Sequence, residues 1–358
     1  MKTRISMLAL AGLASAGAQA QTLNIASNFE IYGRVHVSYD MLDNGDNYSR
    51  ATLSSNATRF GVRGNKDFGG LKGVWQIEQE IFPLNNSTDN RFATRDTFAG
   101  IQSGFGLVRV GRYDSPAKIA REPFNLFGDQ LGDMRNLTRV GNAKFDERPS
   151  NLIEYQSPKM GSFTGRVAYS PHQTTQGEVD ANQSDVKDDM QSAMLTYAKS
   201  GLVVNASFEK WNGLAGSTSR RDTTRLAASY DLSKATKLVA YVEDQSYFSA
   251  ANVAASAKVN GLGVQQALSP KTFLNVTWLS RDESAADADA TMTAIGLEHR
   301  LDRQLRIYAN YAQVDNQSKA KLLPWVQGRS TASGTSAVGA GVNGKDSSGF
   351  SFGVRYDF

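Results

Sequence analysis

The chain has 358 residues, and its 39 basic side chains against 35 acidic ones give a formal net charge of only +4 at pH 7. This near-balance does not favour nucleic acid as a partner. The absence of cysteine excludes disulfides, zinc-thiolate sites and cysteine nucleophiles.

Residues 1–20 have the order of a secretory signal peptide. MKTR supplies basic residues, ISMLALAGLASAG is apolar, and Ala18-Gln19-Ala20 is a small-x-small cleavage signal before Gln21. The apolar stretch is shorter than the roughly 20 residues that a spanning helix needs. We therefore expect export, which leaves one domain over residues 21–358. Its net charge is +2, because Lys2 and Arg4 are lost from the 39 basic residues.

Segments with a period of two residues recur from the first predicted strand onward. In FEIYGRVHVSYDM, the side chains of Ile31, Val35 and Tyr39 share one face, whereas Arg34 and His36 share the other. GLKGVWQIEQEIF, GLVVNASFEKW and LRIYANYAQVD alternate in the same way. This pattern is typical of strands with one apolar and one polar face. No apolar run after residue 20 is long enough for a spanning helix.

An inward-folded segment is predicted where the alternation stops. AKIAREPFNLFGDQLGDMRNLTRVGNAKFDERPSN (117–151) is too long for a tight turn and too rich in Phe, Leu and Met for a solvated loop. We expect residues 113–147 to fold against the inner wall as a constriction loop. Glu122, Asp129 and Asp133 would then face the basic side of the interior. An ordinary extracellular loop is the alternative.

The connections between the later strands are of two kinds. DLSKATKL, ALSPKTFL and RLDRQLRI look like copies of one short turn, with Leu232, Leu268 and Leu301 spaced 36 and 33 residues apart. Long polar segments lie between the predicted strand pairs, over residues 172–189, 282–290 and 327–349. Short turns at one rim and long loops at the other are typical of outer-membrane barrels.

The last predicted strand, GFSFGVRYDF, alternates Phe350, Phe352 and Phe358 with small or charged residues. In a closed barrel it pairs with the first strand and turns these rings toward lipid. At roughly 20 residues per strand and connection, the mature chain allows about sixteen strands. We therefore predict an all-β, transmembrane antiparallel barrel, with a soluble β-sandwich as the alternative.

Arginines recur on the predicted polar faces. An arginine that pointed into the middle of a bilayer would cost roughly 2–4 kcal/mol, so the alternation directs these side chains inward. In TRDTFAG we expect Phe98 and Gly100 on the face opposite Arg95. The predicted inward-facing arginines are Arg34, Arg59, Arg63, Arg95 and Arg148.

Several of these stretches resemble landmarks of the general diffusion porins of Gram-negative outer membranes. They are EIYGRV, TRFGVRG, GGLKGVWQIEQE, TRDTFAGI, FGLVRVGRYDSP, RPSNLIEYQSP and the terminal phenylalanine. The resemblance implies a homotrimer of sixteen-stranded barrels whose third loop folds into the pore. By position in these motifs, the basic wall of the constriction corresponds to Arg34, Arg59, Arg95 and Arg148.

The loop departs from the pattern of that family. EPFNLFGDQLGD resembles the acidic part of the inward loop, but it lacks a Pro-Glu-Phe-Gly-Gly-Asp run. The segment also adds Arg121, Arg135 and Arg139.

The resemblance implies an outer-membrane channel for passive diffusion of small hydrophilic solutes and ions. Its other partners would be outer-membrane lipid and two further copies of the chain, with Pro83 to Asn90 a candidate intersubunit latch. The three histidines lie in no metal-ligand spacing and no Ser-His-acid arrangement. We therefore expect no cofactor, no metal and no enzymatic activity. The alternatives are a substrate- or anion-selective porin, an outer-membrane enzyme such as a lipase, and an adhesin without an open channel.

Overall fold

The structure is a computed structural model. It describes residues 28–81, 92–141, 143–172, 188–213, 219–249, 251, 254–328, 330–331 and 339–358. The expected signal peptide (1–20) and the candidate latch (Pro83 to Asn90) lie outside the described residues.

Most of the described chain is β-strand. The strands are β1 (Phe29–Asp43), β2 (Ser49–Ser55), β3 (Arg59–Asp67), β4 (Lys72–Glu80), β5 (Thr97–Ser103), β6 (Gly106–Arg112), β7 (Arg139–Val140), β8 (Ala143–Lys144), β9 (Leu152–Gln156), β10 (Phe163–Ser170), β11 (Met190–Lys199), β12 (Leu202–Asn212), β13 (Arg220–Asp231), β14 (Thr236–Phe248), β15 (Ala254–Ser269), β16 (Thr272–Glu283), β17 (Ala290–Arg300), β18 (Leu305–Asn316), β19 (Ser330–Thr331) and β20 (Ser347–Asp357). Two short helices, α1 (Pro116–Ala120) and α2 (Arg135–Thr138), lie between β6 and β9. Neither of these described helices is long and apolar enough to span a membrane.

The sheet closes on itself. β20 pairs antiparallel with both β18 and β1, and the backbones of Gly33 and Phe358 exchange hydrogen bonds of 3.0 and 3.1 Å. β2 and β3 both pair with β1 and are two parts of one barrel strand. β7 and β8 form a separate hairpin, and β19 pairs with β2. The predicted closed, sixteen-stranded antiparallel barrel is confirmed.

Alternate side chains of each strand meet different surroundings. On β1 the side chains of Val35 and Tyr39 are 42% and 47% exposed, whereas Asp40 is fully buried. On β20 the exposed fractions of Phe350 and Phe352 are 50% and 52%, and Ser351 between them is buried. An apolar exterior around a polar interior is the reverse of a soluble protein and suits a barrel surrounded by lipid. The predicted outward orientation of the terminal phenylalanines is confirmed.

The three similar turns all lie at one rim. Leu232 follows β13, Leu268 lies at the end of β15, and Leu301 follows β17. Their side chains are 58%, 58% and 44% exposed, respectively. The prediction of short repeated turns is therefore confirmed.

The predicted orientation of Phe98 is wrong. Ile101 on the same strand is 56% exposed and faces outward, whereas the ring of Phe98 packs edge-on against Tyr113 with centroids 5.6 Å apart. The Arg109 guanidinium lies 4.9 Å from the Phe98 centroid. Gly100, directly opposite Arg109 in the ladder, also faces inward. β5 begins only at Thr97, so the alternation counted from Arg95 does not continue into the strand.

Residues 113–147 pack against the inner faces of the barrel strands. α1 contacts β11, β12 and β13, and α2 contacts β16 and β17. Phe124 and Leu137 are buried in one apolar cluster with wall residues such as Tyr241 and Leu279. Burying this apolar surface stabilises the segment against the wall.

Candidate functional site

A cavity of about 530 Å³ lies between the 113–147 segment and the wall of the barrel. Among the described residues, nine basic and five acidic side chains line it, a formal excess of four positive charges. The basic ones are Arg34, Arg59, Arg95, Lys118, Arg121, Arg135, Arg139, Arg148 and Arg355, and the acidic ones are Glu80, Asp114, Glu122, Asp129 and Asp146.

Arg34 and Arg59 lie on neighbouring strands of the wall, directly opposite each other in the β1–β3 ladder. The Arg34 Nε donates to Asp357 Oδ1 at 2.6 Å, and its Nη1 lies 3.6 Å from Asp129 Oδ2 of the inward segment. The Arg59 Nε lies 3.7 Å from Glu78 Oε2 and makes no closer ion pair within the described part of the chain. Arg59 is therefore the least neutralised arginine of this wall.

Arg95 and Arg148 lie just outside the regular strands. Arg95 precedes β5 and donates to Glu78 Oε1 at 2.6 Å. Arg148 precedes β9 and donates to Asp96 Oδ1 at 2.5 Å, with its Nη2 2.9 Å from Asp114 Oδ1. The structure thus brings all four predicted wall arginines to one cavity.

The three predicted acids of the inward segment have different surroundings. Asp129 lines the cavity and accepts a 2.7 Å hydrogen bond from Arg135. The Glu122 side chain also lines it and is 58% exposed. Asp133 is fully buried, accepts hydrogen bonds from the backbone N–H groups of Asp129 (2.7 Å) and Arg135 (2.8 Å), and is not among the lining residues. Asp133 therefore holds the local backbone, while Glu122 and Asp129 face the cavity.

Asp129 and Lys118 are among the charged groups of the inward segment that have shifted pKa values. Burial raises the pKa of Asp129, but Arg135, Arg95 and Arg59 outweigh it and hold that pKa well below its usual range. Burial and then the nearby Arg148 lower the pKa of Lys118 to about 8, opposed by Asp114. Asp129 therefore stays ionised at neutral pH, whereas Lys118 loses its proton at a pH just above neutral.

Arginines share carboxylates around the cavity. Asp357 lies 2.6 Å from Arg34, 2.8 Å from Arg355 and 3.5 Å from Arg306. Glu78 is shared by Arg59 and Arg95 in the same way. Arg34, Arg95 and Arg306 each have a second carboxylate in Asp129, Glu80 and Glu298, respectively. Within the described ranges Arg59 and Arg355 pair only with a shared carboxylate, so these two arginines keep most of the positive field of the wall.

Several charged residues near the cavity were not predicted from the sequence. Arg63 was predicted to face inward with the wall arginines, but it lies away from the cavity. Arg355 was detectable, because it alternates with the outward phenylalanines of β20. Arg225 was detectable in the same way, because it alternates with the outward-facing Leu226 on β13. Its guanidinium is fully buried and binds Asp146 and Glu243 at 2.6 Å each. Lys118 carries no such pattern. Arg63 pairs with Glu30 at 2.7 Å, is 49% exposed and does not line the cavity.

Fixed cations face carboxylates across a gap in this cavity, so it can orient and select charged solutes. Within the described ranges, no group of three His, Asp or Glu side chains could hold a metal ion.

Comparison with known proteins places the whole chain in context. A sequence profile of the family described as Gram-negative porin matches residues 6–319. Outer membrane porin protein 32 of Delftia acidovorans is 26% identical over 368 aligned residues, which cover 99% of both chains. Major outer membrane protein P.IB of Neisseria gonorrhoeae is 32% identical over 117 residues, about 32% of each chain.

Solved structures agree on the fold. An anion-selective porin from Comamonas acidovorans superposes with a TM-score of 0.77 at 22% identity, covering 92% of this chain and 99% of the other. The trimer form of OmpT, an outer membrane protein of Vibrio cholerae, gives 0.67 at 16% identity, covering 92% and 99%.

Proposed function

The chain belongs to the Gram-negative porin family and is a channel protein of the outer membrane, not an enzyme, and we propose that its pore passes small hydrophilic solutes and ions passively with a preference for anions. Passive transport needs no cofactor, because a water-filled barrel lowers the barrier for solutes that hydrocarbon excludes.

We assign the narrowest part of the pore to the cavity between the wall and residues 113–147. Its basic side comprises Arg34, Arg59, Arg95 and Arg148. Its acidic side is supplied by the inward segment through Glu122 and Asp129, with Asp133 supporting the turn that carries Asp129. Such opposed charges create a field across the gap in which dipolar solutes align.

The observation that carries the anion preference is the excess of nine basic over five acidic lining side chains among the described residues. Sharing of Asp357 and Glu78 between arginines leaves part of that charge unneutralised. The structural neighbour from Comamonas acidovorans, an anion-selective porin, is consistent with this preference.

The test is the zero-current potential of the purified protein in planar bilayers under a KCl gradient. We expect the sign that corresponds to faster passage of chloride. A potential of zero or of the opposite sign would contradict the anion preference. Saturable block by one solute would favour a substrate-selective porin, and liposomes that stay impermeable to small sugars would contradict the channel itself.

Raising the pH from 7 to 9 is expected to weaken the anion preference. A lysine with a pKa lowered to about 8 is charged below that pH and neutral above it, so Lys118 loses its positive charge over this interval. The zero-current potential should therefore fall in magnitude with a midpoint near pH 8. Lys118→Met should show the reduced potential at both pH values, and a pH response unchanged in that variant would contradict the assignment.

We also propose that the mature protein is a homotrimer embedded in outer-membrane lipid. The trimer form of the Vibrio cholerae neighbour supports this assembly. Light scattering of the detergent-solubilised protein should give three times the mass of the mature chain. A monomeric mass at all detergent concentrations would contradict the proposal.

We further propose that residues 1–20 are removed on export. The supporting observation is the basic, apolar and small-residue order of that stretch. Mass spectrometry of protein from the outer membrane should show Gln21 at the amino terminus. An intact Met1 would contradict it.

A further inference from the structure

Part of the connection between β18 and β20 lies inside the barrel. The polar stretch 327–349 was predicted as an external loop, yet Gln327 and Gly328 line the cavity. Trp325 is only 1% exposed and lies in a buried apolar cluster with Leu42 and Leu131. Residues 319–328 therefore run between the barrel wall and the inward 113–147 segment.

Hydrogen bonds join these two segments. The Gly132 N–H donates to the Pro324 carbonyl at 2.9 Å, and the Gln327 N–H donates to Asn136 Oδ1 at 2.9 Å. Arg139 Nη1 donates to Gln327 Oε1 at 3.1 Å. Because these hydrogen bonds involve both backbone and side-chain groups, they fix the position of residues 319–328 relative to the inward segment.

The other end of the segment is fixed to the wall. The Leu322 N–H donates to Asn316 Oδ1 at 2.9 Å, and the Leu322 carbonyl accepts from Asn316 Nδ2 and from Ser347 Oγ, each at 3.0 Å. Asn316 ends β18 and Ser347 begins β20. The segment is thus tied to the barrel before it reaches the cavity.

Gly328 lies directly against the charged groups of the pore. Its φ of +74° is in the left-handed region that favours glycine. A Cβ at this position would collide with Arg135 Nη2 and crowd Asp129. Asp129 is the residue that faces Arg34 across the gap. Gly328 therefore lets the segment approach this ion pair without displacing it.

We propose that residues 319–328 are a second pore-lining element, which holds the Asp129–Arg135 pair in place and so contributes to ion selectivity. Trp325 and Gly328 are positioning residues in this scheme, and Gln327 contacts the permeating solution. The proposal rests on the proposed channel function.

The lining role is tested by reaction of Gln327→Cys with a negatively charged, membrane-impermeant methanethiosulfonate reagent. The chain has no native cysteine, so the labelling is specific. We expect single-channel conductance to fall about twofold, because a bulky anion enters the gap. Ser318→Cys, at an exposed position that does not line the cavity, should react without this loss. Failure of Gln327→Cys to react, or full conductance after labelling verified by mass spectrometry, would overturn the lining role.

The positioning role is tested by Trp325→Ala against Trp278→Ala. Trp278 is 43% exposed on the outer face, so its loss removes the same ring without touching the pore. We expect Trp325→Ala to shift the zero-current potential and Trp278→Ala to leave it unchanged. Should Trp325→Ala fail to fold, Gly328→Ala should give the shift by displacing Arg135.

An unchanged potential in Gly328→Ala, or in a folded Trp325→Ala, would overturn the positioning role. A wild-type channel without ion preference would instead contradict the proposed function. The labelling of Gln327→Cys separates the two failures, because it tests whether residues 319–328 line the pore independently of ion preference.

Discussion

Replacing Arg225 with alanine is expected to lower the free energy of unfolding by about 3–5 kcal/mol, because it removes the closest cation of two buried carboxylates. Arg225 is fully buried, and its guanidinium binds Asp146 and Glu243 at 2.6 Å each. It also donates to the carbonyl of Ala117 at 2.9 Å. The measurement is equilibrium unfolding in denaturant of the protein refolded in lipid vesicles, followed by tryptophan fluorescence.

The matched control for this variant removes all three charges together. In Arg225→Met, Asp146→Asn, Glu243→Gln no buried carboxylate is left uncompensated, so most of the lost stability should return. Wild-type stability in Arg225→Ala, or equal losses in the single and triple variants, would contradict the role given to charge burial. Because Arg225 ties α1 to β13, Arg225→Ala should also increase current noise in bilayer recordings.

The barrel could be predicted because adjacent residues of a strand face opposite sides of the sheet, so the sequence of each strand alternates between apolar and polar side chains. Each strand supplies its own alternation, as β20 does with Phe350 and Ser351. Similar turns also repeat around Leu232, Leu268 and Leu301. Counting across an irregular stretch fails, however, and Phe98 shows it, because the backbone between Arg95 and Thr97 is not a strand.

The interior could be predicted only where it is polar. Val239 and Val259 are apolar yet face inward, because the inward segment covers them and replaces water as their neighbour. Nothing in the alternation of one strand reports such a covering segment. The same limit applies to Trp325, whose burial depends on contacts with Leu42 and Leu131, which are remote in sequence.

The charged residues of the site could likewise be predicted on the barrel wall but not within the irregular 113–147 segment. Alternation predicted Arg34, Arg59, Arg95 and Arg148 to face inward, and the resemblance to the porin motifs singled out the same four as the basic wall. Residues of the 113–147 segment have no repeating geometry, so sequence could not separate the buried Asp133 from the lining Asp129.

Replacing Arg59 or Arg95 with serine is expected to widen the pore and shift its selectivity toward cations. Arg59 lies 3.7 Å from Glu78 and has no closer ion pair in the described ranges, so its charge acts mainly on the cavity. At about 5 Å in water a unit charge contributes about 0.8 kcal/mol. Loss of the charge removes this attraction for an anion and an equal repulsion for a cation, about 1.6 kcal/mol in all, so the ratio of anion to cation permeability should fall about 15-fold. Arg95→Ser should shift selectivity further, since it also removes the closest cation of both Glu78 and Glu80.

The variants Arg59→Lys and Arg63→Ser separate charge from structure. Arg59→Lys keeps the positive charge and should retain the anion preference, although its single ammonium group cannot reproduce the guanidinium geometry. Arg63 shares the strand and face of Arg59 but pairs with Glu30 away from the cavity, so Arg63→Ser should leave the zero-current potential unchanged. Equal shifts in Arg59→Ser and Arg63→Ser would indicate a general surface-charge effect. Unchanged potentials in both Arg59→Ser and Arg95→Ser would place the selective part of the pore elsewhere.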